Sequence, residues 1–275
     1  MVRSWVLGGL ALVVVGCAQQ PARAPAADPD LDATAAVPTA GVVERRVEYR
    51  ELSPKQPLRI DNPYGDVRVR FGGYTQALEW RTVAQNMDAT HKIAVEAQDG
   101  ERLTLAARLP EGAVLVKGQR VEMTVYVPKD HDLEVVTELG LIDVRGLQGS
   151  LKARSADGDI SFRGIVGLID VQTGAGRIEG QLDPAPAGSR QRIATSTGNI
   201  QLGIVDGLNA ELALSSSGVF ATEFSVQIEQ RMGQEPNKVG VAVIGKPEAG
   251  IEVVSKRGEI RLLRRVQFQP AEAAG

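Results

Sequence analysis

One cysteine in 275 residues excludes an internal disulfide, because a single thiol has no partner in its own chain. Aromatic residues are scarce as well, at 4%. Basic residues are not in excess: 31 Lys and Arg stand against 34 Asp and Glu, a formal net charge of −3. Nothing in that balance attracts nucleic acid, so no nucleic-acid partner is expected. Beyond the N-terminus no stretch approaches the ~18 consecutive apolar residues of a membrane-spanning helix. There are two histidines, His91 and His131. Neither has Cys or carboxylates at metal-ligand spacing, and no Gly-x-Ser-x-Gly elbow occurs. No metal, cofactor or catalytic residue is therefore expected, and the chain reads as a non-enzyme.

The lone cysteine has a context. Arg3 precedes an 11-residue apolar stretch, Trp5 to Val15, followed by Gly16 and Cys17. That length suits a signal-peptide core and is too short to cross a bilayer. An apolar residue at −3, a small one at −1 and Cys at +1 resemble the lipobox of bacterial lipoproteins. The resemblance implies cleavage between Gly16 and Cys17, diacylglyceryl transfer to the Cys17 sulfur and acylation of the new amine. Two or three acyl chains hold a protein on a membrane stably, where one does so only marginally. Ala18 takes the position where Asp favours inner-membrane retention, so the outer membrane is the expected location. Residues 17–41 are rich in Ala, Pro and Asp and read as a flexible tether. Its root-mean-square span is roughly 25–30 Å.

What the chain has in quantity is glycine, 30 residues, set in a repeat. Alternation of apolar and polar residues begins at Val43 and returns at Val121 to Val127, the period of half-buried strands. Then six segments share one frame, a hydroxyl residue, two variable positions and a glycine. They end at Gly140, Gly158, Gly176, Gly198, Gly218 and Gly258, with a looser copy at Asn62 and Gly65. A large apolar residue stands two places after each of the six glycines: Ile142, Ile160, Ile178, Ile200, Phe220 and Ile260. The intervals are 18, 18, 22, 20 and 40 residues. A fixed period near 20 marks a solenoid, because one such unit cannot bury its apolar face alone. The predicted fold is all-β, a single-chain β-solenoid of stacked coils with an N-terminal β cap or hairpin extension. The alternative is a run of antiparallel hairpins, but hairpins do not need a Ser/Thr-x-x-Gly frame kept in register.

Several local expectations follow. The repeat glycines are expected to supply positive φ at the turns. Stacking is expected to align Thr137, Ser155, Thr173, Thr195 and Ser215 in a column serving turn and inter-coil hydrogen bonding. The 40-residue interval reads as two coils with a degraded copy around Lys238 to Gly245. The domain reading is 1–16 signal peptide, 17–41 tether, 42–132 N-terminal β region, 133–268 solenoid and 269–275 tail. Two departures from the repeat, 72–122 with Trp80 and 223–236, are the places to look for a binding surface.

Val125-Tyr126-Val127-Pro128, Leu133-Glu134-Val135, Asp157-Gly158-Asp159-Ile160 and the ending Gly250-Ile251-Glu252-Val253 with Gly258-Glu259-Ile260-Arg261-Leu262 resemble the bacterial putative-adhesin family of β-strand-repeat proteins. The resemblance covers about Leu58 to Leu263. It implies a β-helix-like fold at the cell envelope and no reaction. The expected function is a lipid-anchored structural or binding module, with its partner, an envelope protein or a glycan, left open. One alternative is a polysaccharide lyase or hydrolase using Asp157 or Asp159. Another is an envelope-stress or signalling accessory that binds a membrane protein.

Overall fold

The computed structural model describes residues 41–86 and 91–265. Among them are twenty-one β-strands and no helix. The repeating unit is best seen in β8 (Leu133–Thr137) and β9 (Ile142–Arg145), two short strands joined by a tight turn that ends in the frame glycine. Strand alternation sends every second side chain to one face, and the burial of β8 follows it, with Leu133, Val135 and Thr137 inside. The next units repeat this in β10 (Leu151–Ser155) with β11 (Ile160–Arg163), β12 (Ile169–Thr173) with β13 (Ile178–Leu182), and β14 (Arg190–Thr195) with β15 (Ile200–Val205).

Each coil gives one strand to each of two sheets, and the coils pair in parallel. Val135, Ala153, Val171 and Ile193 lie in one row, and Ile142, Ile160, Ile178 and Ile200 in another. All eight are buried, at 1% exposure or less. Burying a valine or isoleucine side chain stabilises by about 1.5–3 kcal/mol, and no coil can do so without its neighbours. The parallel ladders exclude the hairpin alternative, whose pairs would be antiparallel.

The stack does not follow chain order at its ends. β20 (Ala249–Ser255) and β21 (Ile260–Arg265) form the last coil in sequence. They insert between β14–β15 and the coil of β16 (Ala210–Ser216) with β17 (Phe220–Thr222). At the other end, the coil of β2 (Leu58–Asn62) with β3 (Val67–Phe71) lies inside the stack, against β8–β9. The later coil of β6 (Leu103–Arg108) with β7 (Arg120–Val127) lies outside it. The solenoid thus takes in residues on both sides of position 132.

Antiparallel strands flank the outer coils. β4 (Ala77–Asn86) pairs with β7, β1 (Val42–Glu51) with β4, and β5 (Ala94–Gln98) with β6. At the far end β19 (Lys238–Ile244) pairs antiparallel with β16, and β18 (Gln227–Gln230) with β19. This corrects the expectation of a degraded coil around Lys238 to Gly245. The reason lies in the side chains: β19 turns Gly240 and Ala242 inward and leaves Val241 and Val243 exposed. Such an inward face is too small to fill the core of a coil, so the segment is an edge strand. Trp80, on β4, is 3% exposed and belongs to the main core. Gly16, Cys17, the tether up to residue 40 and the 269–275 tail lie outside the described residues.

Candidate functional site

At the turns, none of the repeat glycines takes positive φ. That conformation falls on others, such as Gly146 and Gly164, which follow β9 and β11. The expectation is corrected by packing. A Cβ on Gly140 would lie 2.0 Å from the carbonyl oxygen of Gly65, one on Gly158 2.1 Å from that of Gly140, and one on Gly176 2.0 Å from that of Gly158. The series continues through Gly198, Gly258 and Gly218, so the glycines form a column in which the backbones of successive coils nearly touch. At the N-terminal end Gly65 meets the carbonyl of Val121 in the same way.

The hydroxyl column runs beside it, buried and spent on that contact. Thr173 Oγ1 donates to the Gly158 carbonyl (2.9 Å) and accepts from the Gly176 N–H (3.3 Å). Thr195 and Ser255 repeat the pattern with Gly176 and Gly198 as acceptors. Asn62 serves the first coil, its amide donating to the carbonyls of Gly65 and Val121. One member differs from expectation: Ser216, not Ser215, pairs with Ser255 and donates to Gly258. With both hydrogen-bonding roles used inside the turn, these side chains offer nothing to a glycan.

His131 is fully buried, with its ring nitrogens against the Gln56 carbonyl (2.8 Å) and Gln76 Oε1 (3.0 Å). Asp159 is half-buried and accepts from the Arg177 backbone N–H, 2.7 Å away. No group of three or more His, Cys, Asp or Glu suited to a metal occurs among the described residues.

The outward faces carry charge in rows. On the eleven-stranded sheet, Arg59, Glu134, Lys152, Asp170, Arg192 and Glu252 stand in register on successive strands, alternating in sign. Glu134 is the most engaged, 2.9 Å from Arg59, 2.6 Å from Arg102 and 3.0 Å from Lys152. Burial alone would raise its pKa, but hydrogen bonds from Lys152 and Arg59 outweigh that and hold it below the ordinary carboxylate value.

The ten-stranded sheet breaks this alternation. Arg70, Arg145 and Arg163 are direct neighbours in one row, and like charges directly opposite one another are destabilising. Asp143, on the adjacent row, relieves part of the repulsion. It accepts from Arg70 (2.6 Å), Arg145 (3.0 Å) and Ser161 (2.6 Å). Burial would raise its pKa, yet the bonds from Ser161, Arg145 and Arg70 hold it lowered.

Arg163 makes no ion pair among the described residues, and neither does Arg265. The two line one shallow groove of about 360 Å³ with Asp143, Arg145, Glu179 and Gln181. Glycine opens the surface there. Gly203 continues the row beside Gln181, and the Arg265 side chain lies across it, where a Cβ would come within 2.5 Å of Arg265 Cγ. This groove is the candidate site. It lies in neither 72–122 nor 223–236, where a binding surface was expected. A larger depression of about 780 Å³ on the opposite sheet has the other balance, with Asp170, Glu211, Glu248 and Glu252 around Arg190 and Arg192.

Residues 56–263 match the model of the protein family described as Toastrack DUF4097. A search of curated proteins finds no match. Among solved structures, the chain is similar to a putative cell adhesion protein from Clostridium sporogenes ATCC 15579, at 13% identity and a TM-score of 0.44, covering 81% of this chain and 100% of that one. It is also similar to a putative adhesin from Bacteroides fragilis NCTC 9343, at 10% identity and a TM-score of 0.37, covering 80% of this chain and 97% of that one. At these values neither structure carries a functional argument for this chain.

Proposed function

The chain belongs to the Toastrack DUF4097 family, a domain of unassigned function, and from that premise we propose that it is a lipid-anchored binding module of the cell envelope, without catalysis. Cys17, in its lipobox setting, is the attachment point. The Ala/Pro-rich segment after it sets the solenoid away from the lipid headgroups, and Ala18 directs the protein to the outer membrane.

The observation that carries the reading is the state of the carboxylates on the sheet faces. A general acid needs a pKa raised toward the working pH. Asp143 and Glu134 are displaced the other way and stay ionised as partners of Arg and Lys. Carboxylates held ionised in this way are unsuited to act as general acids, and their fixed charge supports binding of a charged partner.

Intact mass and membrane fractionation of the wild type beside Cys17→Ala test the anchor. Acyl mass on residue 17, with release of the variant from the membrane fraction, supports it. A wild type without acyl mass that stays soluble overturns it and leaves a secreted binding protein as the starting point.

A further inference from the structure

The geometry points to the groove on the ten-stranded sheet as a binding site for a phosphoryl group, held by Arg163 and Arg265 with Arg145 beside them. The inference rests on the reading of the protein as a binding module and names the chemistry of the ligand.

Charge is the first argument. The guanidiniums of Arg145, Arg163 and Arg265 and the carboxylates of Asp143 and Glu179 line the groove. Asp143 is already hydrogen-bonded to Arg70 and Arg145, whereas Arg163 and Arg265 make no ion pair among the described residues. Two guanidiniums without a carboxylate partner suit a phosphate monoester, which carries about −1.5 to −2 near neutral pH.

Position is the second. Arg145 and Arg163 are register partners on adjacent parallel strands, about 4.8 Å apart at the backbone. Without a ligand this arrangement is costly, since Asp143 is shared between Arg70 and Arg145 and does not reach Arg163. An anion seated between Arg163 and Arg265 removes the repulsion. Guanidinium forks suit phosphate oxygens because they donate two parallel N–H bonds.

Space is the third. Gln181 and Gly203 interrupt the arginine row, and Arg265 lies across the glycine. The groove volume, about 360 Å³, falls in the range of small-molecule sites. The larger depression on the opposite sheet, with its acidic surplus, has no such fit.

The test is calorimetric titration of the full chain, purified in a non-ionic detergent. The probes are inorganic phosphate, glucose 6-phosphate, dioctanoyl phosphatidic acid and, as a lipid without a monoester, dioctanoyl phosphatidylcholine. Binding of the first two, weakened about tenfold or more in Arg163→Gln and in Arg265→Gln, places the site on soluble phosphoesters. Binding of phosphatidic acid alone, weakened by the same variants, places it on a lipid headgroup. In both cases Arg177→Gln, at a turn and paired with Asp159, binds as the wild type does. Equal binding by wild type and Arg163→Gln, or no binding by the wild type, overturns the site. Release of inorganic phosphate from glucose 6-phosphate would overturn the non-catalytic reading and leave the site standing, so the two failures are distinct.

Discussion

A single methyl group is the most direct probe of the glycine column. In Gly176→Ala the new carbon would sit 2.0 Å from the Gly158 carbonyl oxygen, and neither backbone can retreat without shifting a whole coil. We expect a loss of about 2–4 kcal/mol, at the upper end for a point substitution. Gly250 is the control: its nearest neighbour would be 4.0 Å from a Cβ and its φ is not positive, so Gly250→Ala should cost little. Urea denaturation of both variants separates close approach from a general cost of replacing glycine. Asp143 gives a prediction in pH. Burial would raise its pKa, but bonds from Ser161, Arg145 and Arg70 lower it in the folded protein. Its contribution to stability is therefore present above the unfolded value of about 4 and is lost as pH falls through the lower folded value. Urea midpoints should drop between neutral and strongly acidic pH, and the drop should be smaller in Asp143→Asn. A variant as acid-sensitive as the wild type would remove Asp143 from that account.

For whole elements, order in the stack matters more than order in the chain. In a sequential solenoid, removing the last coil shortens the stack and leaves the rest intact. Here β20 and β21 are the bridge between β14–β15 and β16–β17. A chain ending at residue 248 would expose the inner edges of both neighbours, and unpaired parallel edges recruit other chains. We expect that truncation to aggregate or lose its cooperative transition, as read by size-exclusion chromatography and thermal circular dichroism. A soluble monomer with a slightly lowered melting temperature would mean that β16–β17 can dock directly on β14–β15.

In the molecule as a whole, the two faces differ in how charge is disposed. One balances positive against negative along a row, and the other gathers guanidiniums around a groove. Much of this protein could be read in its sequence. Period-two alternation and the Ser/Thr-x-x-Gly frame determine stacked short strands, because only a repeat in register can bury Ile142, Ile160, Ile178 and Ile200 together. Even part of the site was legible, since Arg70, Arg145 and Arg163 each stand five residues after a frame glycine. What sequence could not supply was adjacency across long separations. Only the tertiary structure decided that Arg265 reaches Gly203, that β20–β21 enters between coils made before it, and that the glycines serve close approach and not positive φ. Local pattern determines which face of a strand is apolar, whereas the order of stacking depends on how well distant faces fill one another's space.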